Sequence, residues 1–138
     1  MKLTPEDKKL IERAKQTVLT ASKANLVATA SVGAALITDK GNIYTGVNVG
    51  YFCGIASCAE NQAIGMMITN GEKYIKTIVA VHIGDFAIIP PCGVCREQMK
   101  QTSWKNLDAY VIIGESKKVK LQTLLPQPWD RTIDSGSN

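Results

Sequence analysis

The stretch KTIVAVHIGDFAIIPPCGVCREQMKQTSWKNLDAYVIIG, residues 76–114, decides the fold. Its first part, KTIVAVHIG, is rich in strand formers and reads as a buried strand. PPCGVCREQMKQT reads as a loop entering a helix, and DAYVIIG as a second strand. A strand, a helix and a strand in that order imply at least one parallel strand pair.

Working outward, TPEDKKLIERAKQTVLTAS at residues 4–22 reads as a helix. Thr4 suits the N-cap, Pro5 the first helical position, and Glu6 and Asp7 the positive end of the helix dipole. Leu10, Ile11, Ala14, Val18 and Leu19 supply an apolar face. VGAALIT and NIYTGVNVG, separated by Asp39-Lys40-Gly41, predict a hairpin. SCAENQAIG, from Ser57, opens a second helix whose apolar face is Ala63, Ile64, Met67 and Ile68 and whose stop is Asn70-Gly71. VKLQTLLP begins with a strand or forms a short helix. The order α-β-β-α-β-α-β predicts an α/β fold with a mixed sheet and helices packed on it.

The 138 residues suit one domain, expected to span 1–138 with a loosely packed tail from about 127. Hydrophobic residues make up 45% and charged residues 20%, which argues against general disorder. The net charge of +4 is scattered, with no basic stripe of the kind a nucleic-acid binder carries. No 18-residue apolar run and no apolar signal segment is present, so the expectation is a cytosolic protein without membrane attachment. Structural disulfides are rare in that compartment. Its four cysteines then call for another role: buried hydrophobes, reactive thiols or metal ligands.

Cys92 and Cys95 form C-x-x-C at the start of one predicted helix, and Cys58 stands at the start of another. Helix N-termini stabilise thiolates, and thiolates bind metal. Two such termini directed at one point deliver three thiolates to one Zn²⁺ and leave a fourth position open, the mark of a catalytic rather than a structural site. Glu60, two residues from Cys58, would lie beside that opening as a proton shuttle and not a ligand. Taken alone, C-x-x-C also suits a redox pair or half of a structural zinc site.

CAE at 58–60 followed by PCGVC at 91–95 resembles the zinc signature of the cytidine deaminase superfamily. The segments SVGAALITDKGNIYTGVNV and LLP are similar to parts of its free-nucleoside branch, and LIERA and GVNV to blasticidin S deaminase within it. The resemblance implies a three-layer α/β fold, one Zn²⁺ per chain on Cys58, Cys92 and Cys95, and Glu60 as general acid/base. It implies hydrolytic loss of ammonia from a free cytosine nucleoside, a small-molecule substrate, by a homotetramer. It places substrate contacts on Asn48, on the backbone of Ala59 and on the carbonyl of Pro90. The family's N-[VI]-E-N reads Asn48-Val49-Gly50-Tyr51 here, so its sugar-binding carboxylate is missing. Its frequent arginine after C-A-E is Asn61. A modified cytosine nucleoside such as blasticidin S is therefore the alternative substrate.

Other residues carry paired readings. Asn48 contacts substrate or merely ends a strand, and Tyr51 and Phe52 line a pocket or pack. Arg96 either balances the net negative charge of three thiolates on Zn²⁺ or is a solvated helix residue. Cys53 has no counterpart and reads as a loop or buried thiol. His82 reads as a hydrogen-bonded structural histidine, Met66-Met67 as core, and Trp129 as a cover for a pocket or an interface. Deamination of RNA or DNA, and a non-catalytic zinc module, are the competing function classes.

Overall fold

The computed structural model describes residues 1–25 and 30–130. Helix α1 (Pro5–Ser22) leads into strands β1 (Val32–Thr38) and β2 (Ile43–Val47). A short ribbon of β3 (Val49–Gly50) and β4 (Ala56–Ser57) precedes helix α2 (Ala59–Thr69). Strand β5 (Ile75–His82), helix α3 (Gly93–Thr102), a 3-10 turn at Trp104–Asp108, strands β6 (Tyr110–Gly114) and β7 (Lys117–Lys120) and the short α4 (Leu121–Leu124) complete the chain. The main sheet has the order β2-β1-β5-β6-β7. Only β5 and β6 run parallel, joined by α3; every other neighbouring pair is antiparallel. The crossover expected from residues 76–114 is thus present. VKLQTLLP resolves into both expected forms, a strand and then a helical turn.

Strand alternation makes the layers. Ala35 and Ile37 of β1 and Val79 and Val81 of β5 face Leu10, Ile11, Ala14 and Val18 of α1. Leu36 and Ile78 point the other way, onto Ala63, Ile64 and Met67 of α2 and Met99 of α3. Both faces of the central strands are therefore buried, which explains why they read as continuous apolar runs. Of the methionine pair expected in the core, Met67 is fully buried and Met66 is half exposed. His82 ends β5 with its ring half exposed, 3.7 Å from Asp85.

NIYTGVNVG does not form one strand. The main sheet lets it go at Asn48, whose Oδ1 accepts the N–H groups of Ser31 (2.8 Å) and Val32 (2.7 Å). The side chain replaces a ladder partner, and the chain swings off into the β3–β4 ribbon. The expected loose tail has a fixed point at Asp130, which is buried and pairs with the fully buried Lys100 of α3. Residues 131–138 lie outside the described residues.

The start of α1 is the expected cap and more. Thr4 Oγ1 accepts from Asp7 N–H while the Asp7 carboxylate accepts from Thr4 N–H, a reciprocal capping box. The same carboxylate takes a 2.7 Å bond from Lys118 on β7. Both residues are buried. Burial pushes the Asp7 pKa up, but the bonds from Lys118 and Thr4 outweigh it and hold the carboxyl below its ordinary value. A depressed carboxylate stabilises the fold above its unfolded pKa and loses that contribution as pH falls through its folded one. Replacing Asp7 by Asn strands the Lys118 charge, and we expect a loss of about 3 kcal/mol at pH 7. Urea unfolding at a series of pH values should show the gap to wild type closing below about pH 4.

Candidate metal centre and cleft

Cys58 is the N-cap of α2 and Cys92 the N-cap of α3, with Cys95 in the first turn of α3. Neither cysteine makes a formed capping bond, though the Cys95 and Val94 N–H groups of α3 are turned to the Cys92 sulfur. The three Sγ atoms lie within 4.8 Å of one another, and Cys58 Sγ and Cys92 Sγ are 3.8 Å apart. Tetrahedral zinc with sulfur at about 2.3 Å sets ligand sulfurs about 3.8 Å apart. The donor set and its spacing suit Zn²⁺. Exposure falls from Cys92, open to solvent, through Cys58 to the buried Cys95.

Charge is distributed unevenly over the three thiols. The Cys95 N–H bond at the start of α3 brings the Cys92 pKa down, as a helix N-terminus should. Burial pushes Cys58 and Cys95 up; at Cys58 the bond with the Cys95 thiol offsets part of this, and at both the charges of Glu60 and Cys92 add to it. The helix-end effect wins at one cysteine and burial wins at two. A divalent cation reverses the balance, because coordination removes the thiol proton outright.

Glu60, in the first turn of α2, is 7% exposed, and burial raises its pKa. Its charge reaches both Cys58 and Cys95. Ala59 is buried at the first position of α2, where a backbone N–H has no partner inside the helix. Pro90 is exposed, at the end of a segment tied to β5 by the Ile89 N–H to Ala80 C=O bond and by pairing of Ile88 with Val81. Arg96 donates through Nε to the Pro91 carbonyl (2.8 Å) and through Nη1 to the Leu124 carbonyl (3.0 Å). Its guanidinium braces the turn before Cys92.

A cleft of about 700 Å³ opens beside Cys58, lined in part by Asn48, Gly50, Ser57, Asn61, Val94 and Gln98. Asn48 faces it with an amide whose oxygen is already taken by Ser31 and Val32. Tyr51 and Phe52 sit in a tight loop closed by the Gly54 N–H to Tyr51 C=O bond; Tyr51 is 48% and Phe52 95% exposed. Cys53 is exposed on the same loop and is not among the clustered sulfurs. Trp129 is exposed and donates to Glu97 of α3 at 3.3 Å.

Two groups of residues at the site escape a reading by motif. Gly46, in β2, lets α2 lie directly on the sheet. A Cβ there would stand 2.5 Å from Gln62 Cβ and 2.7 Å from both Ala59 O and Ala63 N. A glycine inside a strand pattern is the available signal for such an approach. Ser57, Asn61 and Gln98 form a hydrogen-bonded chain in the wall of the cleft. No single-residue signal announces it.

A mixed-sheet domain that points three cysteines and a buried carboxylate from two helix ends defines the zinc-dependent hydrolytic deaminase class. The chain belongs to the family described as the cytidine and deoxycytidylate deaminase zinc-binding region, whose family model matches residues 5–111. It is 33% identical to blasticidin-S deaminase of Bacillus cereus over 111 residues, 72% of this chain and 77% of that protein. It is 30% identical to the cytidine deaminase of Halalkalibacterium halodurans over 98 residues, 69% of this chain and 74% of that one. The crystal structure of cytidine deaminase from Mycobacterium tuberculosis matches with a TM-score of 0.74 at 24% identity, covering 88% of this chain and 95% of that one, a likeness of fold.

The contact at Gly46 gives a direct check on how α2 is seated. Gly46→Ala should lift the helix start that carries Cys58 and Glu60. We expect a stability loss of about 1–3 kcal/mol, the usual range for overpacking, and less than one zinc per purified chain by metal analysis.

Proposed function

We propose that this protein catalyses hydrolytic deamination of a free cytosine nucleoside, cytidine or deoxycytidine, giving the uracil nucleoside and ammonia. One observation carries the reading: three sulfurs from two helix ends lie within 4.8 Å of one another, with a buried carboxylate, Glu60, in the first turn of the helix that Cys58 caps. Cys58, Cys92 and Cys95 would hold Zn²⁺, which when bound supplies an acidified water at its open fourth position.

The chain's own groups do the rest. Glu60 takes one proton from the attacking water on a carboxylate oxygen and passes it to ring N3; it then takes the second from the hydroxyl now on C4 and hands it to the amine, so that the C–N bond breaks, ammonia leaves and C4=O forms. Its burial keeps bulk water from competing for those transfers. The free N–H of Ala59 and the carbonyl of Pro90 grip the pyrimidine edge and the amino group. Asn48 offers the sugar a donor, because Oδ1 is held by Ser31 and Val32 and only Nδ2 remains. Tyr51 and Phe52 border the nucleoside from their loop, and Arg96 steadies the turn that carries the exposed ligand.

A modified nucleoside is the second reading, favoured by Gly50 at the place of the sugar-binding carboxylate and by the likeness to blasticidin-S deaminase. We further propose a homotetramer acting in cytoplasmic pyrimidine salvage. The exposed Phe52, Ile55, Met66, Ile68 and Val94 are what neighbouring copies would cover. A domain spanning 1–138 as one unit is part of the same proposal.

Glu60→Gln should keep fold and zinc while kcat drops by roughly 10²–10⁴; activity that survives in a zinc-loaded variant sinks the proton-shuttle role. Ammonia release from cytidine, deoxycytidine and blasticidin S ranks the substrates, and turnover of none of them overturns the substrate class. For Asn48, the change to Asp keeps the acceptor for Ser31 and Val32 but removes the donor. KM should rise about tenfold, the loss of one hydrogen bond worth ~1.4 kcal/mol, with an unchanged melting temperature.

A further inference from the structure

Cys58 and Asn61 are three residues apart on the helix end of α2, and Cys95 and Gln98 are three apart on α3. Residues at that spacing share a helix face. The faces that bring the sulfurs together must therefore bring the two amides together one turn further along. They do: Gln98 Nε2 donates to Asn61 Oδ1 at 2.5 Å, and Asn61 Nδ2 donates to Ser57 Oγ. A chain of hydroxyl, amide and amide runs from the residue before Cys58 across to α3.

Further along, the two helices meet through apolar side chains, Ala63, Ile64 and Met67 of α2 sharing a cluster with Met99 of α3, which fix no polar register at the helix ends. α2 packs mainly on β1 and β2, and α3 mainly on the 3-10 turn. The separation of Cys58 from Cys95 therefore depends on how two helices on the same face of the sheet are set against each other at their N-terminal ends. Gln98 is also a costly choice as mere filling. Its Oε1 is buried and has no hydrogen-bond partner among the described residues. A buried acceptor left without a donor destabilises a fold. An apolar side chain of the same length would remove that penalty, so the amide earns its place through its donor.

We propose that Asn61 and Gln98 are positioning residues that set the distance between the two metal-bearing helix ends before metal arrives. The inference rests on the zinc reading of the three cysteines. Because both groups are neutral, they hold the helices together without adding charge beside the thiolates. Residues that fix metal ligands in place typically govern metal affinity by 10–100-fold.

The test compares wild type, Cys95→Ser, Gln98→Met, Asn61→Ala and the double variant of the last two. Zinc affinity is read by competition with a chromogenic chelator, and melting temperature is read on the metal-free proteins. Gln98→Met should weaken zinc about tenfold while its metal-free melting temperature holds or rises, because the orphaned acceptor is gone. Asn61→Ala should weaken zinc similarly, and the double variant should bind no worse than the poorer single, since one bond is lost in all three. Unchanged affinity in Gln98→Met overturns the proposal, as does multiplication of the two single effects in the double variant. Affinity and metal-free melting temperature falling together in Gln98→Met would make the residue simply structural and also overturn it. If wild type takes up no zinc, or Cys95→Ser binds as tightly as wild type, the metal reading itself falls. Wild-type uptake lost in Cys95→Ser leaves that reading standing whatever Gln98 does.

Discussion

Three sulfur atoms are held within 4.8 Å of one another where burial opposes charging two of them. Without a cation this is an unfavourable place for thiolates, and the protein must impose it on them. Much of the described structure bears on that constraint. Two helix ends from different parts of the chain are delivered to one point, and each is braced from behind. α2 lies close on Gly46 of β2, while α3 is carried by the crossover between β5 and β6. The exposed Cys92 enjoys the helix-end effect, and the buried Cys95 does not. A gradient from solvent to core thus runs through the ligand set itself.

The layer structure explains why such bracing is stable. β1 and β5 are buried on both faces, so α1 on one side and α2 with α3 on the other compete for the same thin sheet. Small residues settle it. Ala34, Ala59 and Ala80 meet in their own cluster between the sheet and the start of α2. Together with Gly46 they let the helix backbone approach closely. Large side chains there would hold Cys58 and Glu60 away from α3. The compactness behind the site is what permits the Glu60 carboxylate to be 93% buried without an ion pair among the described residues.

Much of this was legible in the sequence, for physical reasons. The cap of α1 is local chemistry between Thr4 and Asp7, and its pattern shows in four residues. The hairpin of β1 and β2 follows from strand formers around Gly41, which takes a φ of +87°. The cysteines are legible because ligation demands both residue type and spacing. The break at Asn48 is not, since it depends on N–H groups of Ser31 and Val32 seventeen and sixteen residues away. A run of strand formers carries no sign of that competition. The bridge from Asn61 to Gln98 is equally silent: two amides on exposed-looking helix positions acquire meaning only when the helices meet.

Lys100 shows the same limit from the stability side. In sequence it is a helix lysine among polar neighbours, which normally means solvent. In the fold it is fully buried, 3.4 Å from Glu97, paired with Asp130 and 5.0 Å from the Trp104 ring centre. Buried pairs of this kind gain little net stability over apolar packing, but breaking one leaves a stranded charge. Such a pair contributes position more than energy. The position at stake is that of α3, which is held at three residues: Arg96 by the Leu124 carbonyl, Glu97 by Trp129, and Lys100 by Asp130. The segment from the end of α4 to Asp130 therefore grips the helix that carries two of the three sulfurs. The charged residues of α3 thus record where the segment up to Asp130 is fastened.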